Sequence, residues 1–154
     1  MKFDYLFFLS LLLLSACQSG GQEQKETPAR PNIIFIMTDD HAYQAISAYG
    51  SDRLQTPHID RLAASGMRFD RAFVSNSICA PSRAVILTGK HSHLNGVLDN
   101  RLRFDSSQVI YPQLLQQAGY QTAMIGKWHL KTEPRGFDYW KVLPGQGHYY
   151  NPDW

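Results

Sequence analysis

Two largely apolar runs stand out from an otherwise mixed chain, Tyr5 to Leu14 and Asn32-Ile33-Ile34-Phe35-Ile36-Met37-Thr38, and Gln121 to Ile125 reads as a second strand of the buried type. The first is followed by small and polar residues. It falls well short of the roughly 20 apolar residues that span a bilayer. The other two lack the in–out alternation of a half-exposed strand and suit central strands of a parallel sheet, buried on both faces. One ends in Asp39-Asp40 and the other runs into Gly126-Lys127-Trp128-His129. These polar ends would lie where open α/β sheets keep their sites. Met67 to Val74 predicts a further strand, with Met67, Phe69 and Ala72-Phe73 on its apolar side. Between the runs lie three predicted helices. The first spans Thr56 to Gly66, with Thr56 as cap, Pro57 as first residue, Asp60 near the positive end of the dipole and Gly66 in the left-handed exit. The second opens at Pro81 and closes at Gly89, and the third runs from Tyr111 to Ala118 before Gly119. Strand, helix, strand, helix, helix, strand is the order of an α/β fold. No internal repeat is visible, and the aromatic, Gly-rich chain after Gly136 predicts no element.

Composition changes the reading at the front. The chain has 154 residues, 44% hydrophobic and 18% charged, with a net charge of +2. That is a globular balance with no dominant basic patch, so nucleic acid is not expected as a partner. Lys2 followed by the short apolar run has the form of an export signal. Leu14-Ser15-Ala16-Cys17 resembles the bacterial lipoprotein box, in which the cysteine is lipidated and becomes the mature N-terminus. Residues 1–17 are therefore expected to be a lipoprotein signal ending in lipidated Cys17. The product would be exported and anchored to a bacterial membrane, at the periplasm or the cell surface. Gln18 to Arg30 is polar and aperiodic, a tether in composition. Folded chain is expected from Pro31.

Cys17 and Cys79 are the two cysteines. With Cys17 acylated, Cys79 is left without a partner in an oxidising compartment. It is then either a small buried hydrophobe or a chemical group. Around it the sequence reads Cys79-Ala80-Pro81-Ser82-Arg83, then Leu87-Thr88-Gly89-Lys90. A nucleophile before a helix whose first turn attracts anions, with an arginine fork one turn in, suits attack on a sulfate or phosphate ester. A helix start with a structural cysteine fits the same residues. Asp39 and Asp40 repel each other unless a cation lies between them, and all-oxygen ligands favour calcium or magnesium. A solvated acidic turn is the alternative. Lys127 and His129 alternate around Trp128, so both can face one cleft. His91-Ser92-His93 has a spacing found often by chance, and Lys90 opposes the dipole at a helix end.

Cys79 to Lys90 resembles the signature of the type I, formylglycine-dependent sulfatases, Cys-x-Pro-Ser-Arg followed by Thr-Gly-Arg or Thr-Gly-Lys. The Asn32 to Asp40 run, the Thr56 to Phe69 stretch and Gly126 to His129 are also similar to that family and fall in its order. The tail from Gly136 to Pro152 looks like the matching stretch of bacterial N-acetylglucosamine-6-sulfatases. The resemblance implies an alkaline-phosphatase-like α/β fold with a mostly parallel sheet flanked by helices. It implies that a maturation enzyme, reading Pro81 and Arg83, oxidises Cys79 to formylglycine (3-oxoalanine). One hydroxyl of the hydrated aldehyde would attack sulfur, and loss of a proton from the other would eliminate sulfate. Arg83 would hold the hydrate, Lys127 the hydrate and sulfate, and His129 would be the base. Asp39, Asp40 and residue 79 would bind calcium, and His41 and His93 are weaker candidates for touching a sulfated glycan. The family's later ligands do not occur before Trp154, so residues 31–154 read as the N-terminal part of the catalytic domain, inactive and poorly folded alone, with an open sheet edge. A phosphoryl-transfer relative of the same superfamily and a non-catalytic lipoprotein that binds sulfated glycans are the rival expectations.

Overall fold

A computed structural model describes residues 30–154, and the chain divides at Met37/Thr38 into two units. The signal, Cys17 and most of the tether lie outside the described residues.

In the first unit, the described residues 30–37 form no strand. Ile33, Ile34, Phe35 and Ile36 are exposed. This corrects the expectation of a buried central strand there. An apolar run of that kind needs paired neighbours on both edges. Among the described residues the only sheet is a two-stranded ladder formed elsewhere.

In the second unit, the elements in order are two single 3-10 turns (Tyr43–Ala45 and Ser47–Tyr49), α1 (Pro57–Ser65), α2 (Cys79–Thr88), a one-turn α3 (Ser92–Asn95), α4 (Tyr111–Gln117), β1 (Ala123–Lys127) and β2 (Tyr139–Leu143). Helix α1 starts where Thr56-Pro57 places it. Asp60, one turn in, accepts from Ser47 Oγ at 2.6 Å and from Thr56 Oγ1 at 3.0 Å, which ties the helix start to the second 3-10 turn. Its exit differs from expectation, because Gly66 leaves at φ −130°, not in the left-handed region. Helix α2 begins at Cys79, two residues before Pro81, since proline is tolerated anywhere in a first turn that lacks intrahelical N–H bonds. Gly89 closes it at φ 65°, with its N–H on the Val85 carbonyl. The Met67 to Val74 strand does not form. Met67, Phe69 and Phe73 are exposed, and no strand among the described residues lies beside them.

β1 and β2 pair in parallel, Ala123 opposite Tyr139 through Lys127 opposite Leu143. The unpredicted β2 begins where Asp138 and Thr122 clamp the two chains. The Thr122 N–H donates to Asp138 Oδ2 at 2.6 Å and the Asp138 N–H donates to the Thr122 carbonyl at 2.9 Å. Hydrogen bonding from the Thr122 backbone holds the Asp138 carboxyl below its ordinary pKa. That pins the register at its first pair. Both ladder edges are open among the described residues, and Ile125 on β1 is 65% exposed.

The core lies between α2 and the chain after β1. Ala80, Ala84 and Leu87 from α2 meet Val97, Phe104, Ile110, Trp128 and Leu130. Alanines on the buried face of α2 let the helix approach closely, and almost the whole of its first turn and a half is buried. Leu130 is fully buried, and its carbonyl accepts from the Phe104 N–H at 3.1 Å. Replacing it with alanine should cost about 2–5 kcal/mol of stability, because a packed side chain is lost and a cavity is left. Chemical denaturation of the Leu130→Ala protein beside the wild type reads this directly, and a loss under ~1 kcal/mol would show that the core is not centred there.

Candidate active site

The Asp39 carboxylate gathers the chemistry. Lys127, the last residue of β1, donates Nζ to Asp39 Oδ2 at 2.5 Å and lies 3.4 Å from Cys79 Sγ. Arg83 donates Nη2 to Asp39 Oδ1 at 3.4 Å, and the Cys79 thiol reaches the same oxygen at 3.8 Å. Four predicted site residues from three separate stretches of chain thus meet around one carboxylate.

The local folding explains how they get there. Cys79 is the first residue of α2, so its side chain stands at the helix mouth, while Arg83 is one turn on along the same helix. The guanidinium is 9% exposed. It spans from the helix to the end of β1, donating Nη1 to the Lys127 carbonyl at 2.6 Å. Gly126, at φ 107°, gives β1 a backbone turn just before Lys127 that side-chain-bearing residues rarely adopt. Trp128 turns into the core at 4% exposure, so Lys127 and His129 share the opposite side, as alternation predicts. His129 has φ 55° and Asp40 φ 51°, both left-handed without being glycine. Such strain persists only where the surroundings over-determine it.

Electrostatics follow from these contacts. The Lys127 hydrogen bond holds the Asp39 carboxyl below the usual carboxylate range, with the nearby charges of Lys127 and Arg83 adding to it. Burial pushes the His129 imidazole below its ordinary 6.5, and Lys127 and Arg83 push it further. It is therefore neutral, and a base, at neutral pH. His129 Nδ1 and Arg83 Nε are buried without a protein partner among the described residues. Cys79 is a free thiol.

A hard cation fits the donor type but not yet the count. Asp39 keeps lone-pair capacity beyond its three contacts, and Asp40 makes no hydrogen bond or ion pair among the described residues. Calcium takes six to eight oxygen ligands. Among the described residues no third acidic, cysteine or imidazole side chain completes a cluster. His41 and His93 form no hydrogen bond to the Cys79 cluster. His93 lies in α3, not in a loop, and stacks on His91 with ring centroids 5.8 Å apart, both exposed.

Two asparagines were not legible in the sequence. Asn76 Nδ2 donates to Ser92 Oγ and to the Leu98 carbonyl, at 3.1 and 3.2 Å. Asn100 Oδ1 accepts from the Ala80 N–H at 2.9 Å. Both stand in polar turns without a motif, so only their contacts reveal them.

Comparison with known proteins places this geometry. A 148-residue stretch (94% of the chain, 26% of the relative) is 56% identical to an N-acetylglucosamine-6-O-sulfatase of Bacteroides thetaiotaomicron. An ulvan-active sulfatase of Formosa agariphila is 37% identical over 79% of the chain and 26% of its own length. A solved structure, in complex with its substrate D-glucosamine-2-N,6-O-disulfate, superposes with a TM-score of 0.79 at 60% identity over 80% of this chain and 26% of that one. A phosphonate monoester hydrolase of Agrobacterium radiobacter, at 24% identity and TM-score 0.58, shares the fold alone. The chain spans about a quarter of the length of these curated relatives. Its fold is that of the alkaline-phosphatase-like sulfatases, of which the described α/β elements form a part. The family model described as Sulfatase matches residues 31–153, and the chain belongs to the sulfatase family.

Proposed function

We propose that the protein is a sulfuric ester hydrolase that removes sulfate from a sulfated glycan, with N-acetylglucosamine-6-sulfate as the sugar, by way of a formylglycine made from Cys79. The observation that carries this is the convergence of Lys127 Nζ and Asp39 on the Cys79 side chain, braced by Arg83. The 56% identity to an N-acetylglucosamine-6-O-sulfatase supports the choice of sugar.

A formylglycine at position 79 would supply a hydrated aldehyde, one hydroxyl to attack sulfur and one to release sulfate by elimination. The fit is in the surroundings of residue 79. Two cations lie near it, so a developing or transferred sulfate charge meets Lys127 without reorganisation. Asp39 fixes the ammonium, and Arg83 fixes Asp39 and the end of β1 together. His129, kept neutral by burial and by its cationic neighbours, can take the proton that elimination releases. Calcium held by Asp39, Asp40 and residue 79 would neutralise sulfate oxygens. Asp39 and Asp40 would contribute part of its shell.

The partners that go with this reading are the sulfated glycan, a formylglycine-generating enzyme and, through lipid on Cys17, a bacterial membrane. Among the described residues no helix is long and apolar enough to cross a membrane.

Peptide mass spectrometry of the protein from its own host should find the Cys79 peptide lighter than its thiol form by about 18 Da, and acyl mass on Cys17. A thiol at Cys79 in an active preparation would sink the formylglycine reading; a thiol in an inactive one favours a glycan binder. Because His129 is depressed below 6.5, turnover should hold through neutral pH and fall only as pH drops below that value, when the imidazole takes its proton. His129→Gln should lower the plateau and remove that acid limb from the pH–rate profile. Dialysis against a calcium chelator should abolish turnover and added calcium restore it; persistent activity after exhaustive chelation would rule out the Asp39–Asp40 site as a metal site.

A further inference from the structure

The first turn of α2 accounts for its donors one by one. Ile78, at the cap position, offers no side-chain acceptor. The Ser82 N–H makes the first intrahelical bond, to the Ile78 carbonyl at 2.9 Å. The Pro81 nitrogen carries no hydrogen. The Ala80 N–H is taken by Asn100 Oδ1 at 2.9 Å. The Cys79 N–H is left, with no acceptor among the described residues. Arg83, on the same helix and 9% exposed, keeps its Nε unpartnered. The first belongs to the residue that the proposed reaction uses, and the second lies one turn on along the same helix.

Asn100 therefore caps a helix from outside it, twenty positions along the chain. Its segment grips the chain on both sides of Cys79. Asn76, three residues before Cys79, donates to Ser92 and Leu98, and Ala80, one residue after, donates to Asn100. An aspartate would accept the Ala80 N–H equally well, and the helix dipole would favour its charge. The neighbouring Asp99 is already paired with Arg101 at 2.7 Å at the surface, so its charge is only a weak stability reason for an amide there. A carboxylate at that place, however, would set a negative charge one residue from the group that must meet a sulfate. The amide satisfies the same donor and carries NH2 where aspartate carries a second anionic oxygen.

We propose that Asn100 is a positioning residue that fixes the first turn of α2 while keeping it neutral, so that the turn's remaining N–H and its positive field are left to the sulfate of the substrate. This rests on the sulfatase reading above.

The test uses the full-length, matured protein and compares wild type, Asn100→Asp and Asn100→Ala. The readouts are melting temperature, kcat, KM for a sulfated N-acetylglucosamine and competitive inhibition by inorganic sulfate. Asn100→Asp should melt no lower than wild type, yet raise KM and the sulfate inhibition constant about tenfold, from one added charge at close range. Asn100→Ala should lower the melting temperature and reduce kcat more than it changes KM, because the Ala80 N–H loses its anchor and residue 79 its aim. A purely structural cap would leave Asn100→Asp with wild-type KM and sulfate inhibition, which overturns the proposal. So does an Asn100→Asp protein that melts as low as Asn100→Ala. A wild-type protein without sulfatase activity fails earlier and condemns the functional reading itself.

Discussion

The Arg83 guanidinium leaves helix α2 and bonds the Lys127 carbonyl at 2.6 Å and the Asp39 carboxylate at 3.4 Å. Three stretches of chain that share no secondary structure are joined by this one planar group. It adds a polar tie to the packing of Trp128 and Leu130 against α2, and together these bring Lys127 to 3.4 Å from Cys79. The burial of the fork makes the tie stiff and also makes it costly to break. An Arg83 removed from this place would leave the Lys127 carbonyl without its donor, while Asp39 would keep the Lys127 ammonium. The apolar packing behind it and the Lys127–Asp39 pair hold the same elements together.

Charge balance at the site follows the same logic. One carboxylate, Asp39, answers two cations, and its own acidity is raised by their presence. The surplus positive charge is what an anionic ester needs on arrival, and it adds to the burial that keeps His129 unprotonated. The same two cations thus favour the substrate and help keep the base unprotonated, so a change at Lys127 or Arg83 touches both.

How much of this could be read from the sequence depended on how local the cause was. The three longer helices were legible because their signals are local: Thr56-Pro57 at one start, Gly89 and Gly119 at two ends, alanines where α2 packs. β1 was legible as a strand, but the expected burial on both faces is not met, since β2 is its one partner among the described residues and Ala123 and Ile125 are exposed. The continuous apolar run at Asn32–Thr38 and the mixed stretch Met67–Val74 also suggested strands, yet form none among the described residues, because a ladder needs a neighbour and the run itself does not supply one. β2 was missed for the converse reason. Tyr139-Trp140-Lys141-Val142-Leu143 has no clean period, and its strand is set by the Thr122–Asp138 clamp and by β1. At the site, Cys79, Arg83, Asp39 and Lys127 were legible because their residue types are chemically unusual in that order. Asn76 and Asn100 act through distance, and nothing in their neighbours announces it.

Asp40, His129 and Lys131 all hold left-handed backbone without being glycine, and all lie at or beside the site. Each stores strain of order 1 kcal/mol or more that the core must hold in place. Local stability along the chain is therefore uneven. The amides around exposed Asp40 should open in native-state hydrogen exchange at lower free energy than those of α2, whose helical bonds lie against the packed core, whereas His129 and Lys131 are held by buried Leu130 between them. The proposed metal end of the site is then nearer to coming undone than the helix beside it, so damage by heat would reach the chemistry before it reaches the fold.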